Sequence, residues 1–475
     1  MMGYGFAKMP PKAPLPMAQQ DFSRCPKEQA SQERSTLGEY ISRTAAFAPA
    51  ILLTLIFSYA IFNWLSYGGV TPVKAAVVML VAFTFIWVSL SAAAVALGIS
   101  RFIRKPGFLK REKDDTHSNH AQRVALLTPI YNEDPADVFG NAWAMLQDLS
   151  HGRQQDSFTL FILSDTKDPA IARLEEQAFF ALQETVAPKI NVFYRRRADN
   201  TDKKVGNIAD WIENWGAAYD AMLILDADSL MSGAAIRNLA RELAAHPEAG
   251  LIQSFPALIG SRTLFGRMQQ FSNAVYGWLL AEGLSVWSQS EGNYWGHNAI
   301  IRVRAFADSA RLPHLPRRRG SEDLILSHDF VEAGMLRRAG WGVRFLPRAS
   351  GSFEETPQTV IDYCLRDRRW CKGNLQHLRL LTVKGFHPVS RFHLLQGAFA
   401  FLMSPAWFAL LIVWSLVGTM SDNSASYFTP LNPLYPVWPE QAPFGGSLFL
   451  FFIYGMLLLP KVLGAFALGL RRRIR

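Results

Sequence analysis

The sequence predicts an α/β domain with a mostly parallel sheet, inserted between transmembrane α-helices. Four long apolar runs lie in two pairs, toward the two ends of the 475-residue chain. Between them, short apolar stretches typical of strands alternate with stretches typical of helices. Apolar strands separated by helices indicate a mostly parallel sheet that is covered on both faces.

Each of the four apolar runs exceeds the roughly 20 residues that a helix needs to cross the bilayer core. The runs are residues 45–67, 75–100, 395–420 and 444–470. Buried helices of a soluble protein are the alternative, which four such runs together disfavour. Lys461 lies late in the fourth run, so we expect its ammonium group to reach the nearby membrane interface. The runs predict two transmembrane hairpins, within 41–105 and 394–475.

Composition sets the remaining boundaries. Residues 1–40 are rich in Pro, Gln and Ser, which predicts a flexible cytoplasmic tail. Residues 121–375 contain the alternating pattern and therefore the α/β domain. Residues 376–393 are expected to form an interfacial segment before the third apolar run.

Basic residues flank the apolar runs on one side. Lys74 is the one cation between the first two runs, and none lies between the last two. Basic clusters follow the second run and precede the third, and the chain closes with RRRIR. Positive charge marks the cytoplasmic side, so the domain and both termini are expected in the cytoplasm. Anionic lipid headgroups then account for much of the formal net charge of +10, without nucleic acid as a partner.

Acidic residues follow three of the four apolar strands in the domain. Glu133 ends the stretch RVALLTPIYNE, and Asp165 lies in FTLFILSDT. Asp226 and Asp228 follow the apolar run that begins at Ala221. Ligands gather at the carboxyl ends of strands in such sheets, so these acids predict a binding site at one sheet edge.

Asp226 and Asp228 are two residues apart, and such residues point the same way in an extended backbone. Without a cation, two facing carboxylates raise each other's pKa. With Mg²⁺ or Mn²⁺ they become oxygen ligands that share the ion with substrate phosphates. The alternative is that Asp228 caps the next helix, with Ser229 as another candidate cap. The neighbouring strand-end acids favour the metal.

Seven motifs occur in order: TPIYNED, LSDT, KKVGN, LDADS, YWGHNAIIR, SHDFVEAGMLRRAGW and RDRRWCKGN. With them, about residues 40–470 resemble the processive family 2 glycosyltransferases, membrane enzymes with a glycosyltransferase-A fold that include cellulose and hyaluronan synthases. The last three motifs resemble most the bacterial inner-membrane branch that makes the backbone of periplasmic glucans. The resemblance implies transfer of glucose from UDP-glucose, with inversion, to a growing β-glucan, with β-1,2 links in this branch.

Other activities stay open beside this one. The chain could be another processive β-glycan synthase, cellulose-like or chitin-like, or a non-catalytic UDP-sugar-sensing membrane protein. Members of this branch are expected to have further membrane helices after the fourth, so a shortened member and a fragment are both open. Export of the glucan, and a carrier protein or periplasmic glucan-processing protein as partner, are equally open.

The resemblance implies a nucleotide site at the strand ends. Tyr131 and Glu133 match the family's turn beside the uracil, and Asp165 matches the next acid, which contacts uridine. Lys204 in KKVGN would lie near the diphosphate, although Lys203 could take its place. Plain strand-end turns and a solvated charge pair are the alternatives.

The resemblance also assigns the metal and the diphosphate contacts. Asp228 would be the chief metal ligand, with Asp226 contacting the ion or the nucleotide. Arg366 and Arg369 match the family's pattern around the pyrophosphate, and Trp370 would stack under the acceptor sugar. A basic, aromatic interfacial helix is the alternative for this stretch.

The general base requires a choice among Glu322, Asp323 and Asp329. The family's Thr-Glu-Asp motif resembles Ser-Glu-Asp around Asp323, but the family's Gly-Trp pair follows its catalytic Asp at about the distance of Trp341 from Asp329. We therefore expect Asp329 to take the proton of the acceptor hydroxyl. The family's Glu before this Asp is replaced by His328, whose role stays open.

Residues Tyr294, Trp295, Gly296 and His297 occupy the place of the family's acceptor motif Phe-Phe-Cys-Gly-Ser. The two aromatic rings would offer a stacking surface, and Gly296 would permit close approach. His297 could form hydrogen bonds with sugar hydroxyls.

Overall fold

The computed structural model describes residues 9–25, 36–66, 70–104, 121–151, 156–186, 190–316, 322–420 and 445–474. The chain forms two compact units. The sheet unit comprises Met1–Thr36, Gly107–Ala274 and Ser288–Ala398. The helical unit comprises Leu37–Pro106, Val275–Trp287 and Phe399–Arg475.

Strands and helices alternate along the sheet unit. The strands are β1 (Arg123–Ile130), β2 (Ser157–Ser164), β3 (Asn191–Arg196), β4 (Ala221–Ile224), β5 (Leu230–Met231), β6 (Ala249–Ser254), β7 (Ala257–Ile259), β8 (Ala299–Arg302), β9 (Leu315–Pro316), β10 (Glu322–Asp323), β11 (Gly342–Leu346) and β12 (Ser352–Glu355). The α-helices of the whole chain are α1 (Leu37–Ser66), α2 (Pro72–Arg104), α3 (Pro135–Ser150), α4 (Pro169–Val186), α5 (Lys203–Trp215), α6 (Gly233–Ala245), α7 (Leu264–Ser272), α8 (Trp278–Ser288), α9 (Val303–Ser309), α10 (His328–Arg338), α11 (Val360–Gln376), α12 (Pro388–Met420) and α13 (Gly445–Ile474).

The main sheet has seven strands in the order β11-β6-β8-β4-β1-β2-β3. Strand β8 runs antiparallel to its neighbours β4 and β6, and the other pairs are parallel. The predicted mostly parallel sheet is therefore confirmed. Two smaller sheets accompany it, one of β5, β12 and β7 and one of β9 and β10.

Two hydrophobic cores cover the two faces of the main sheet. Val124 and Leu126 of β1 lie in one core, together with side chains of α3, α4 and α6. Ala125 and Leu127 lie in the other core, with side chains of α5 and α9. Successive side chains of a strand point to opposite faces, so an almost wholly apolar strand can be buried on both sides. This explains why β1 reads as one continuous apolar run.

The prediction of a flexible tail is wrong for residues 9–25, which pack on the sheet unit. The Ala18 amide donates to the Ala307 carbonyl over 2.9 Å, and the Met17 side chain is buried in the core that contains α9. Backbone pairing and burial of an apolar side chain hold this segment, which composition alone does not reveal. Helix α1 also begins at Leu37, inside the predicted tail. The remainder of the predicted tail, 1–8 and 26–35, lies outside the described residues.

Each predicted apolar run overlaps a helix that is long and apolar enough to cross a membrane. The described spans are Leu37–Ser66, Pro72–Arg104, Pro388–Val417 and Phe451–Leu470. Their length and composition indicate a membrane protein. The predicted loop between the last two runs, 421–443, lies outside the described residues.

Close helix packing characterises the helical unit. The rings of Phe57 in α1 and Phe85 in α2 stack with centroids 4.3 Å apart. A Cβ on Gly98 of α2 would collide with the Leu279 carbonyl of α8, so only glycine permits this approach. The Lys461 ammonium lies 5.3 Å from the centroid of the Tyr276 ring and forms a cation–π contact with it. That this ammonium group reaches a membrane interface stays a prediction.

The predicted interfacial segment, residues 376–393, does not form one element. It contains the end of α11, a 3₁₀ turn at His377–Leu380 and the first residues of α12. Helix α12 continues from Pro388 into the third apolar run without a break.

Candidate active site

The carboxyl ends of three adjacent parallel strands bring the predicted acids to one edge of the main sheet. Tyr131 and Glu133 follow β1, Asp165 follows β2, and Asp226 follows β4. Strand β1 lies between β2 and β4, and it is parallel to both. The strand order thus explains why residues so far apart in sequence share one edge.

Lys204 joins Asp226 to the loop before β8. Its ammonium group donates to a carboxylate oxygen of Asp226 and, over 2.8 Å, to the carbonyl of Gly296. Burial opposes ionisation of Asp226, but Lys204, His297 and Arg366 outweigh it and lower the pKa of Asp226 to about 2. Of the two candidate lysines, the structure places Lys204 at the acids, while Lys203 is exposed.

Asp228 lies beside Asp226 with its side chain exposed. Desolvation of its carboxylate and the charge of Asp226 raise the pKa of Asp228. In the part of the chain that the structure describes, no cation forms an ion pair with Asp228. The alternative of Asp228 as a helix cap is not observed, because Ser232 caps α6. The charge of His297 opposes this rise of the Asp228 pKa without cancelling it.

Helix α11 brings two cationic side chains, Arg366 and Arg369, toward the same acids. Desolvation and the charges of Asp228 and Asp226 raise the pKa of Glu133. The charge of Arg369 works to lower it, so Arg369 interacts electrostatically with Glu133. The Arg366 guanidinium lies over the Trp370 ring, 4.1 Å from its centroid.

The loop before β8, residues 294–297, is the predicted acceptor loop. Tyr294 is wholly buried in the core that contains α5 and α9, so the prediction that its ring offers a surface to a sugar is wrong. The ring packs with the other side chains of this core. Trp295 is half-buried and packs edge-on against Phe345, with ring centroids 4.8 Å apart. Trp295 thus keeps the more accessible aromatic surface.

Gly296 has a φ of +89°, a backbone conformation that residues other than glycine rarely adopt. A Cβ at this position would lie 3.5 Å from Oδ2 of Asp329. Asp329 stands in the first turn of α10, and burial raises the pKa of its carboxyl. The structure thus brings the predicted base against the predicted acceptor loop.

His297 is held by a residue that the sequence analysis did not single out. Its Nε2 lies 3.0 Å from Oε2 of Glu354 in β12. Burial works to lower the pKa of His297, but Asp226 and Glu354 outweigh it and raise that pKa. The His297 Nδ1 atom is buried and has no hydrogen-bond partner among the described residues.

Asp165 is buried and engaged by a second residue that the sequence analysis missed. The Arg197 Nε and Nη2 atoms each donate to one of its carboxylate oxygens over 2.7 Å. Both oxygens of Asp165 therefore already have a cationic partner. The only sequence signal for Arg197 is the run of three arginines at the end of β3, of which it is the last.

The rejected base candidates lie in a different small sheet. Glu322 and Asp323 form β10, which pairs with β9. The Glu322 side chain is 69% exposed and lies 3.3 Å from His314. Neither residue borders Gly296, whereas Asp329 does.

Comparisons with known proteins agree with this architecture. The family model described as glycosyl transferase family group 2 matches residues 221–460. The chain is 42% identical over 471 residues to a glucans biosynthesis glucosyltransferase H of Shewanella baltica (strain OS185). It is 41% identical over 462 residues to the protein of the same name from Rhodopseudomonas palustris (strain BisA53). These alignments cover 98% and 96% of this chain, and 64% of each relative's length.

Among solved structures, a mannosyltransferase from Pyrobaculum calidifontis in complex with GDP-Man and Mn²⁺ superposes with a TM-score of 0.44 and 15% identity. The superposition covers 84% of this chain and 98% of the mannosyltransferase chain. The predicted fold class, a glycosyltransferase-A domain inserted between apolar helices, is confirmed by the sheet and the family match. Since that match covers half of the sequence, this chain belongs to the glycosyl transferase family group 2.

Proposed function

We propose that this chain transfers glucose from UDP-glucose, with inversion, to a growing β-glucan, the backbone of a periplasmic glucan with β-1,2 links. The observation that carries the proposal is the meeting of Asp226, Lys204, Gly296 and Asp329 at one sheet edge. The names of the relatives favour glucose and a glucan product. The chain spans 64% of their length, so the activity of the whole relatives is part of the proposal.

A divalent cation, Mg²⁺ or Mn²⁺, fits the two aspartates. Asp228 has no ion-pair partner among the described residues, and Asp226 lies beside it. Among the described residues no three His, Cys, Asp or Glu side chains form a metal site, so substrate oxygens would complete the coordination. When bound, the cation supplies positive charge against the departing diphosphate.

The donor nucleotide is proposed to lie along the strand ends. Tyr131, which is 46% exposed, offers a ring face for the uracil, with Glu133 as a nearby acceptor. Arg369 and Lys204 would hold the diphosphate, the guanidinium as a planar fork and the ammonium as a point charge. Arg366 would support Trp370 by stacking on it. Asp165 would act on the uridine through its partner Arg197.

Asp329 is the proposed general base. It takes the proton of an acceptor hydroxyl, and that oxygen forms a bond to the anomeric carbon of glucose. The bond between this carbon and the diphosphate oxygen breaks on the opposite face, and its electron pair leaves with UDP. Attack from the face opposite UDP inverts the anomeric centre.

The acceptor is proposed to lie between Trp370 and the acceptor loop. Trp370 is 42% exposed and provides a stacking surface for the terminal sugar. Trp295 adds a second aromatic surface, and His297, which Glu354 holds in the same loop, is proposed to bond a sugar hydroxyl. Gly296 lets the sugar approach Asp329 closely.

The charge distribution supports an inner-membrane protein whose catalytic domain and termini lie in the cytoplasm. UDP-glucose is then available to the site on the cytoplasmic side. Export of the glucan, and a carrier protein or periplasmic processing protein as partner, belong to the same proposal.

The test is an incubation of membranes that contain this chain with labelled UDP-glucose and Mg²⁺, with and without a chelator. We expect UDP release and a β-1,2-linked glucan, both abolished by the chelator. A product with other links would indicate another β-glycan synthase. UDP binding without any transfer would indicate a sensor and contradict the proposal.

A further inference from the structure

A buried histidine–glutamate pair lies immediately beside the proposed base. His328 Nδ1 donates to Oε1 of Glu332 over 2.9 Å, one helical turn along α10. Their side chains are 14% and 3% exposed. The desolvation penalty of a buried ion pair can exceed the free energy gained from its attraction, so such a pair often adds nothing to the stability of the fold. The position of this pair, with His328 adjacent to Asp329, points to a role in the site.

The electrostatics of the pair favour a charged imidazole. Burial works to lower the pKa of His328, but the carboxylate of Glu332 outweighs it and raises that pKa. Burial raises the pKa of Asp329, and His328 is the strongest influence against that rise. The Phe330 amide and Lys204 act in the same direction as His328 but more weakly.

Charged and titratable groups from other elements also face this helix end. Lys204 reaches it from α5, and Tyr294 faces Glu332 and Asp329 from the acceptor loop. His377, just after α11, donates from Nε2 to the carbonyl of Ser327 over 2.8 Å. Burial lowers the pKa of His377, which favours its neutral form. Lys204 and His328 are therefore the cations next to Asp329 among the described residues.

We propose that the His328–Glu332 pair places a positive charge beside Asp329 and so keeps its carboxylate ionised and ready to accept the acceptor's proton. Glu332 keeps His328 charged and fixes its ring, and His328 acts on Asp329, so both are positioning residues. The inference rests on the proposed function, in which Asp329 is the base. It also gives a physical meaning to the histidine that replaces the family's glutamate at this position, because the exchange reverses the charge next to the base.

The test is the pH dependence of UDP release by the full-length chain in membranes, with UDP-glucose and Mg²⁺. In His328→Gln, the weaker influence of Lys204 remains but the strongest cationic influence on Asp329 is lost, so the carboxylate of Glu332 raises the pKa of Asp329 and the ionised base appears only at higher pH. We expect the acid limb of kcat to move up by about one pH unit or more. Activity is then lost most at low pH and recovers toward pH 9.

The double variant His328→Gln/Glu332→Gln removes the uncompensated carboxylate as well. We expect its acid limb to move back toward that of the wild type, because no negative charge then faces Asp329. His387→Gln is the matched control. His387 Nε2 lies 3.1 Å from a carboxylate oxygen of Glu291, and neither residue is among the main influences on the pKa of Asp329. We expect its acid limb to stay in place.

The affinity for UDP, measured with the same membranes, reports whether each variant is folded. An equal loss of kcat for His328→Gln at every pH, an unshifted profile, or no recovery in the double variant overturns the inference. The proposed function fails separately, if Asp329→Asn retains turnover.

Discussion

The carboxylate of Asp329 lies against the backbone of Gly296, so that a Cβ on the glycine would be 3.5 Å from Oδ2 of the acid. The carbonyl of the same glycine accepts a hydrogen bond of 2.8 Å from the ammonium group of Lys204. Lys204 in turn holds Asp226. One backbone position therefore connects the proposed base, the acceptor loop and the strand-end acids.

Gly296→Ala is expected to lower kcat about tenfold, because a side chain at a φ of +89° costs about 1–2 kcal/mol and relief of that strain would shift the loop that contacts Asp329. Steady-state kinetics of UDP release measure this effect. Gly140→Ala is the matched control, since a Cβ there meets nothing within 4 Å. An unchanged kcat for Gly296→Ala would show that the loop tolerates a side chain and that its contact with the base is unimportant.

Lys204→Met is expected to raise KM for UDP-glucose and to lower kcat, by about a hundredfold in kcat/KM. Lys204 helps to hold the pKa of Asp226 at about 2. Its loss raises that pKa, so the variant should lose activity more steeply than the wild type as pH falls. Lys203→Met removes an exposed neighbouring lysine and serves as the control. Equal effects of the two substitutions would contradict the assignment of Lys204.

Asp228→Asn removes the carboxylate that is proposed to bind the divalent cation. We expect turnover to fall by about a hundredfold or more, and the affinity for UDP to become insensitive to Mg²⁺. Isothermal titration with UDP, with and without Mg²⁺, measures the second effect. Glu322→Gln neutralises an exposed acid outside the site and should leave both properties unchanged. Persistent Mg²⁺-dependent binding in Asp228→Asn would place the metal elsewhere.

Arg369→Lys keeps the charge but loses the planar fork that suits a diphosphate. KM for UDP-glucose is expected to rise about tenfold to a hundredfold. Arg368→Lys, at the exposed neighbouring position of α11, provides the comparison. If both variants bind UDP-glucose as the wild type does, the guanidinium of Arg369 does not contact the donor.

The strand-end acids could be predicted from the sequence because parallel topology alone places them. Asp226 and Asp228 follow an apolar strand, and the carboxyl ends of adjacent parallel strands meet at one edge. The choice of Lys204 over Lys203 required the structure, since both lie in the same turn. The fold decides which ammonium group reaches Asp226, and it is that of Lys204.

Other features of the site depend on tertiary pairing that no local pattern encodes. Glu354 reaches His297 because β12 belongs to a small sheet whose partners are distant in sequence. Arg197 meets Asp165 across the ends of β3 and β2. Tyr294 and Trp295 are adjacent aromatic residues, and only the packing decides which ring enters the core.

The most direct test of the central claim compares Asp329→Asn with the wild type in turnover of UDP-glucose and in the Kd for UDP. The pKa of Asp329 is raised by burial, so the wild type should gain activity as pH rises through the value at which this carboxyl ionises. In Asp329→Asn, kcat should fall by about a thousandfold or more while the Kd for UDP stays within about twofold. Turnover like that of the wild type would contradict the account.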